Sequence, residues 1–197
     1  MYMKSLVKKW FLERAGMNIN LINNTAFMDS VIASADIISS SIKEGNKLLI
    51  FGNGGSAAEA QHFAAELVGK FEKERSALPA IALTTDTSIL TAQGNDYGFE
   101  YIFSRQIEAL ANVGDVVIGF TTSDVGKEDK HSYNILRGFQ AAKVKGTHRI
   151  GFFSEKTDFL LNYVDTAIVV PNKNTAIIQE THLSVLHLIC HLVESQL

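Results

Sequence analysis

Five short apolar runs most constrain what this chain can fold into. They are Leu48–Phe51, Ala80–Leu83, Val116–Phe120, Arg149–Phe153 and Ala167–Val170. Apart from Arg149, none gives up alternate positions to polar residues, so none has a face meant for water. Such runs fit strands covered on both sides. Helical periodicity fills the intervals between them, and strands alternating with helices imply a parallel sheet with right-handed crossovers. The expected fold is therefore α/β in three layers: a five-stranded parallel sheet, helices on both faces, and two leading N-terminal helices. All of residues 1–197 are read as one domain, since that length buries a self-sufficient core. Ligands of such sheets sit beyond the C-terminal strand ends, where strand order reverses.

The leading helices are expected over residues 2–16 and 25–45. In the second, Phe27, Val31, Ala35, Ile38 and Ile42 make an apolar stripe, with Asn24-Thr25 as its start. With no strand before them, these helices (residues 1–46) either cover the sheet or pair with another subunit. Further along, Thr84–Ser88 reads as a strand-to-helix turn and Gly94–Gly98 as an irregular stop. Phe99–Leu110 has helical spacing, Asp124–His131 is a charged loop, and Ser132 is placed to cap a helix running to about Val144. A short helix over Lys156–Leu161 and a long one over Asn174–Ser195 complete the pattern.

The first strand runs into Gly52-Asn53-Gly54-Gly55-Ser56 and then an Ala-rich helix ending near Lys70. A strand, a glycine turn and a helix N-terminus bring free N–H groups and the positive end of the helix dipole together, which suits an anion. A plain capped βα turn has the same composition. The spacing is neither Gly-x-Gly-x-x-Gly nor a phosphate loop ending in Gly-Lys-Ser/Thr, so no nucleotide is indicated. Thr121-Thr122-Ser123 is a second polar turn at a C-terminal strand end, which either caps its own turn or shares a phosphate site with the first.

Composition narrows the function classes. A net charge of −3 with no Lys/Arg block argues against a nucleic-acid groove. One cysteine, Cys190, cannot form an internal disulfide, so a cytoplasmic setting is expected. The N-terminus has no signal-peptide pattern, and no unbroken apolar run approaches the ~20 residues of a membrane span.

Chemistry-bearing residues collect on two helices. His62 and Glu66 are four residues apart and share a face of the first. Gln179, Glu180, His182, His187 and His191 lie on the last. Gln179 and His187 are eight apart, about 80° offset around the axis, and Glu180 and His187 are closer in angle. Alone, His62 and Glu66 read first as a histidine hydrogen-bonded to its neighbour, and the histidines of the last helix as readily as a polar face at a subunit seam; together the two sets point to a site.

Taken in order, Gly52–Ser56, His62-Phe63-Ala64-Ala65-Glu66-Leu67, Gly94–Phe99, Phe103-Ser104-Arg105-Gln106 and Gln179-Glu180-Thr181-His182 resemble sedoheptulose 7-phosphate isomerase. This is the phosphoheptose isomerase branch of the sugar isomerase (SIS) domain proteins, and the resemblance covers essentially the whole chain. It implies a homotetramer of flavodoxin-like subunits with active sites at subunit junctions. The implied reaction interconverts sedoheptulose 7-phosphate and D-glycero-D-manno-heptose 7-phosphate for bacterial heptose synthesis. Glu66 resembles the family's catalytic base and His187 its acid. His62, Glu66, Gln179 and His187 resemble a zinc set seen in some members. The resemblance places Asn53, Gly54, Gly55, Ser56, Lys70, Asn95, Asp96, Thr121, Thr122, Ser123, Ser132 and Gln179 at the sugar phosphate.

Three departures bear on specificity. The family's phosphate turn reads Ser-Thr-Ser-Gly-Asn-Ser, whereas Thr121-Thr122-Ser123-Asp124 opens a segment longer by about six residues. Realigning on Asn134-Ile135-Leu136-Arg137 puts Ser132 in the place of the last phosphate-binding serine. An Asp124 pointing inward would oppose a phosphate. Lys70 stands where many members have Arg, and Ile177 where Arg is frequent. Two other SIS classes stay open at this point: a non-catalytic tetramer that scaffolds the replication initiator, and a sugar-phosphate-binding regulator.

Overall fold

Each of the five apolar runs is a strand, and all neighbours pair parallel. The computed structural model describes residues 2–126 and 131–197. The strands are β1 (Leu48–Gly52), β2 (Ala80–Ala82), β3 (Val116–Phe120), β4 (His148–Ser154) and β5 (Thr166–Val170), in the order β2-β1-β3-β4-β5. Ile50 stands beside Ala82 and Ile118, and Phe152 beside Phe120 and Ile168. The chain passes from β1 to β2 on one side and then crosses back past β1 to β3 on the other, so the order reverses at β1. That arrangement opens a crevice between the loops that follow β1 and β3.

Helices cover both faces because both faces are apolar. On one side α2 (Thr25–Lys43), α3 (Gly55–Val68) and α7 (Thr175–Gln196) bury Ile38, Phe63 and Leu186 against Ile50, Phe120 and Phe152. On the other, α5 (Ser104–Leu110) and α6 (Tyr133–Val144) bury Phe103, Ile107 and Phe139 against Leu49, Phe51 and Phe153. Each such side chain contributes roughly 1.5–3 kcal/mol by leaving water. Averaged over 18 residues, α7 reaches a mean hydropathy of 1.3, enough by length and composition for a membrane span. Half of that window is buried, because one side of α7 forms part of this core.

Several expected boundaries move. The first helix, α1, continues through Gly16 to Ile22. Gly94–Asp96 is not a stop but the last turn of α4 (Thr87–Asp96), whose start is capped by Asp86 accepting from Ile89 N at 2.9 Å. Phe99–Leu110 is not one helix: a 3-10 turn spans Phe99–Tyr101, and α5 begins at Ser104. Gly98, at φ +102°, sets the chain into that turn rather than into a helix. The short helix is also a 3-10 turn, displaced to Phe159–Tyr163. Of the loop expected over Asp124–His131, residues 127–130 lie outside the described residues.

One buried carboxylate ties the end of α3 to the end of α7. Glu194 accepts hydrogen bonds from the backbone N–H of Phe71, Glu72 and Lys73 at 2.9–3.0 Å and from Arg75 Nε at 2.9 Å. Burial works to raise its pKa, but these donors outweigh it and take the group from its ordinary 4.5 down to about 2. A folded value below the unfolded one means stabilisation that is full above pH 4.5 and is lost as pH falls toward 2. Glu194→Gln should therefore melt well below the parent at pH 7, with the gap closing between pH 4.5 and 2. Thermal unfolding followed by circular dichroism across that range checks this, and a gap that does not change with pH would refute it.

Candidate active site

The crevice at β1 and β3 is ringed by the N-termini of three helices. β1 runs through Asn53 and Gly54 into α3, and Gly54 takes φ +55°, a conformation natural to glycine. Asn53, Ser56, Thr121, Thr122, Ser123, Ser132, Thr175 and Gln179 line a cavity of about 380 Å³ there. Ser56 belongs to the first turn of α3, Ser132 precedes α6, and Thr175 opens α7, so three helix dipoles present their positive ends. The two polar turns thus meet in one cavity, with hydroxyls and N–H groups suited to an anion.

Internal bonds hold this rim in shape. The amides of Asn53 and Asn134 donate to each other's oxygens at 2.9 and 2.6 Å, fastening the β1 turn to α6. Thr121 Oγ1 donates to the Ser123 carbonyl at 2.9 Å, and Ser154 Oγ donates to that of Thr122 at 3.0 Å. Asp124 does not face the cavity with a free charge. Its carboxylate accepts from Asp158, Phe159 and Leu160 N–H groups, capping the 3-10 turn. Partial burial opposes ionisation there, yet those N–H bonds prevail and hold its pKa below the usual range. Ser132 sits at the N-cap position but does not cap as expected. It takes a left-handed conformation, φ +59°, and its side chain makes no cap bond. Asn134 accepts from Ile135 N instead, and Ser132 lines the cavity rim.

Further along α3 the second cluster assembles. His62 Nε2 lies 2.8 Å from His187 Nε2 and 3.2 Å from Glu66 Oε1. The ring of Phe71 stacks on His187 at 5.3 Å and 17°, in the segment that Glu194 holds. All three polar groups are half-buried, reachable from solvent yet backed by packed side chains. Their ligand atoms fall within 4.8 Å of one another. Donors about 2.1 Å from a tetrahedral zinc stand roughly 3.4 Å apart, close to the 2.8 and 3.2 Å found here. Two imidazoles and a carboxylate therefore fit a divalent ion in both spacing and donor type.

The remaining histidines of α7 have other duties. His182 is buried and bonds the Phe153 carbonyl at 3.0 Å; His191 pairs with Glu72 at the surface at 2.7 Å. Glu180 pairs with Arg14 of α1. Gln179 packs its amide directly over Gly55, where a Cβ would collide with it, so within this chain it lines the anion cavity. Lys70 is exposed and paired with Glu74. Asn95 donates to Asp96 at 2.7 Å on the exposed end of α4, and neither lines the cavity. Ile177 is buried among core residues. Sequence reasoning assigned no role to Asn134, Phe71 or the Glu194–Arg75 clamp. An asparagine at the head of a helix was the only available signal, since the other contacts join residues over 110 positions apart.

The chain is similar in sequence and fold to known proteins. Residues 20–154 match the SIS domain family. The chain is 49% identical to the phosphoheptose isomerase of Aquifex aeolicus over 95% of this chain and 94% of that one. It is 47% identical to the probable phosphoheptose isomerase of Thermoplasma acidophilum, covering 96% and 98%. Among solved structures, the phosphoheptose isomerase of Francisella tularensis superposes with a TM-score of 0.90 at 33% identity, covering 99% of this chain and 100% of that one. That of Neisseria gonorrhoeae gives 0.88 at 35%, covering 98% and 99%.

Proposed function

The chain belongs to the phosphoheptose isomerases of the SIS-domain family, and on that premise we propose how its residues divide the reaction. It is an aldose–ketose isomerase that interconverts sedoheptulose 7-phosphate and D-glycero-D-manno-heptose 7-phosphate for heptose synthesis. Moving a carbonyl between C1 and C2 takes a proton from the carbon beside it and returns one at the neighbouring position. Glu66 is the base that takes that proton, and His187 protonates the oxygen side of the enediol from whichever ring nitrogen a bound ion leaves protonated. The observation that carries this is the meeting of Glu66, His62 and His187 although α3 and α7 are remote in sequence.

The phosphate end lies in the cavity of Asn53, Ser56, Thr121, Thr122, Ser123 and Ser132, with Gly54 and Gly55 in the turn between Asn53 and Ser56, and helix dipoles and hydroxyls are the supporting features. Zinc would be held by His62, Glu66 and His187; Gln179, which within one chain packs over Gly55, would have to come from a neighbouring subunit to be the fourth donor of the set. When bound the ion supplies Lewis acidity to a carbonyl. Glu66 has two oxygens, so holding an ion leaves one for the substrate.

We further propose that residues 1–197 are one SIS domain and that residues 1–46 build a homotetramer in the cytoplasm. Support comes from α1, where Tyr2, Met3, Val7, Phe11, Leu12, Ile19 and Ile22 are exposed and only Met17 is buried. Lys70, Asn95 and Asp96, which stand apart from the cavity in one chain, then serve at a subunit junction.

An assay of aldose–ketose conversion across five-, six- and seven-carbon ketose phosphates tests the reading. Sedoheptulose 7-phosphate should be turned over, with solvent deuterium entering at C1 or C2, and the same preparation should sediment as a tetramer. Binding of these sugars without turnover of any would favour a regulator or scaffold, and a monomeric active enzyme would remove the subunit-junction role.

A further inference from the structure

The segment between β3 and α6 brings an imidazole to the phosphate cavity. His131 lines it together with Lys156, and His131 Nε2 lies 2.8 Å from Ser123 Oγ. Its position is fixed from a second side, since Gly126 N–H donates to the His131 carbonyl at 3.0 Å. A serine hydroxyl has one proton to give. If His131 accepts it, Ser123 has nothing left to donate to an anion. If His131 Nε2–H donates to Ser123 Oγ, that proton is released toward the cavity. A phosphate in the cavity favours the second arrangement, because a charge-assisted bond from a hydroxyl is stronger than a neutral one.

The charges around His131 agree with this. Lys156 faces the same cavity and supplies a cation. The Asp124 carboxylate is engaged by the three N–H groups of the 3-10 turn. Glu100 and His131 both line the adjoining cavity, with Asn53, Gly54, Phe99 and Ser132.

We propose that His131 is a positioning residue for the phosphate end of the substrate, aiming the Ser123 hydroxyl while Lys156 balances the charge. This rests on the phosphate lying at the Thr121–Ser123 turn, as in the reading above. His131 is exposed, so its variants should fold. His131→Ala should raise KM for sedoheptulose 7-phosphate about tenfold and leave kcat within about twofold, since a contact far from the reacting carbons acts alike before and during chemistry. His131→Gln, whose amide still donates to Ser123, should recover most of the loss.

Calorimetric titration with inorganic phosphate gives a readout independent of turnover. Wild-type protein should bind it, and His131→Ala and Lys156→Met should each bind about tenfold more weakly. Equal phosphate affinity in wild type and His131→Ala overturns the proposal, as does a wild type that takes up no phosphate at millimolar concentration. Should the phosphate result hold while wild type fails to isomerise the heptulose phosphate, the isomerase reading alone falls.

Discussion

Glu66→Gln should lower turnover of sedoheptulose 7-phosphate by roughly 10²–10⁴-fold while melting temperature and oligomeric state stay near the parent's. The carboxamide has nearly the carboxylate's shape and can still bond His62, so the 3.2 Å contact has a substitute. What it cannot do is take a proton from carbon. His187→Gln should cost a similar factor, and the double variant little more than either single one, because groups acting in one proton-transfer sequence are not additive. KM should hardly move in any of them, since the phosphate cavity is left untouched. Initial rates, with thermal unfolding as the control, decide the matter. Wild-type rates in both single variants would sink the assignment.

Removing the ion should be the other large effect. Metal analysis of protein prepared without chelator should find about one ion per chain, and exhaustive chelation should remove it together with most of the turnover. Added zinc should restore both. The physical reason lies in the 2.8 Å approach of the His62 and His187 Nε2 atoms. Two imidazole nitrogens that close need something between them: a shared proton, with one ring donating and the other accepting, or a cation that both can face. Glu66 beside them favours a cation further. His62→Ala should lose the ion in the same measurement without disturbing the phosphate cavity. Full turnover after complete chelation would reduce the ion to a structural or incidental one.

The sheet was legible because its strands are apolar on both faces. Leu48–Phe51 and Val116–Phe120 have no polar side to expose, and only a sandwiched parallel sheet accommodates that. The pairing of the two glycine- and threonine-rich turns followed from their place at C-terminal strand ends. Other features depended on contacts that no local pattern encodes. Asp124 looked hostile to phosphate, but its partners lie 34–36 residues away, at Asp158 to Leu160. Ser132 had the composition of a cap, yet its backbone is left-handed and its side chain makes no cap bond. His62 and Glu66 were readable as a pair from helical spacing. Their junction with His187 rested on the register of α3 against α7, which packing sets. The resemblance supplied that register in advance, and the half-buried trio supplies its geometry.

Helix α3 is also a ruler. Its first turn borders the anion cavity through Ser56, and six residues later, about 120° around the axis, it carries His62, then Glu66. At 1.5 Å of rise per residue, Ser56 and His62 are separated by about 9 Å along the axis. In the proposed division of the site, a phosphate near Ser56 and the acid–base pair at Glu66 and His187 are tied to one rigid helix, so the spacing between them along its axis is fixed. A helix cannot be stretched by a fraction of a turn. A chain too short by two carbons would hold its phosphate and leave its carbonyl out of reach.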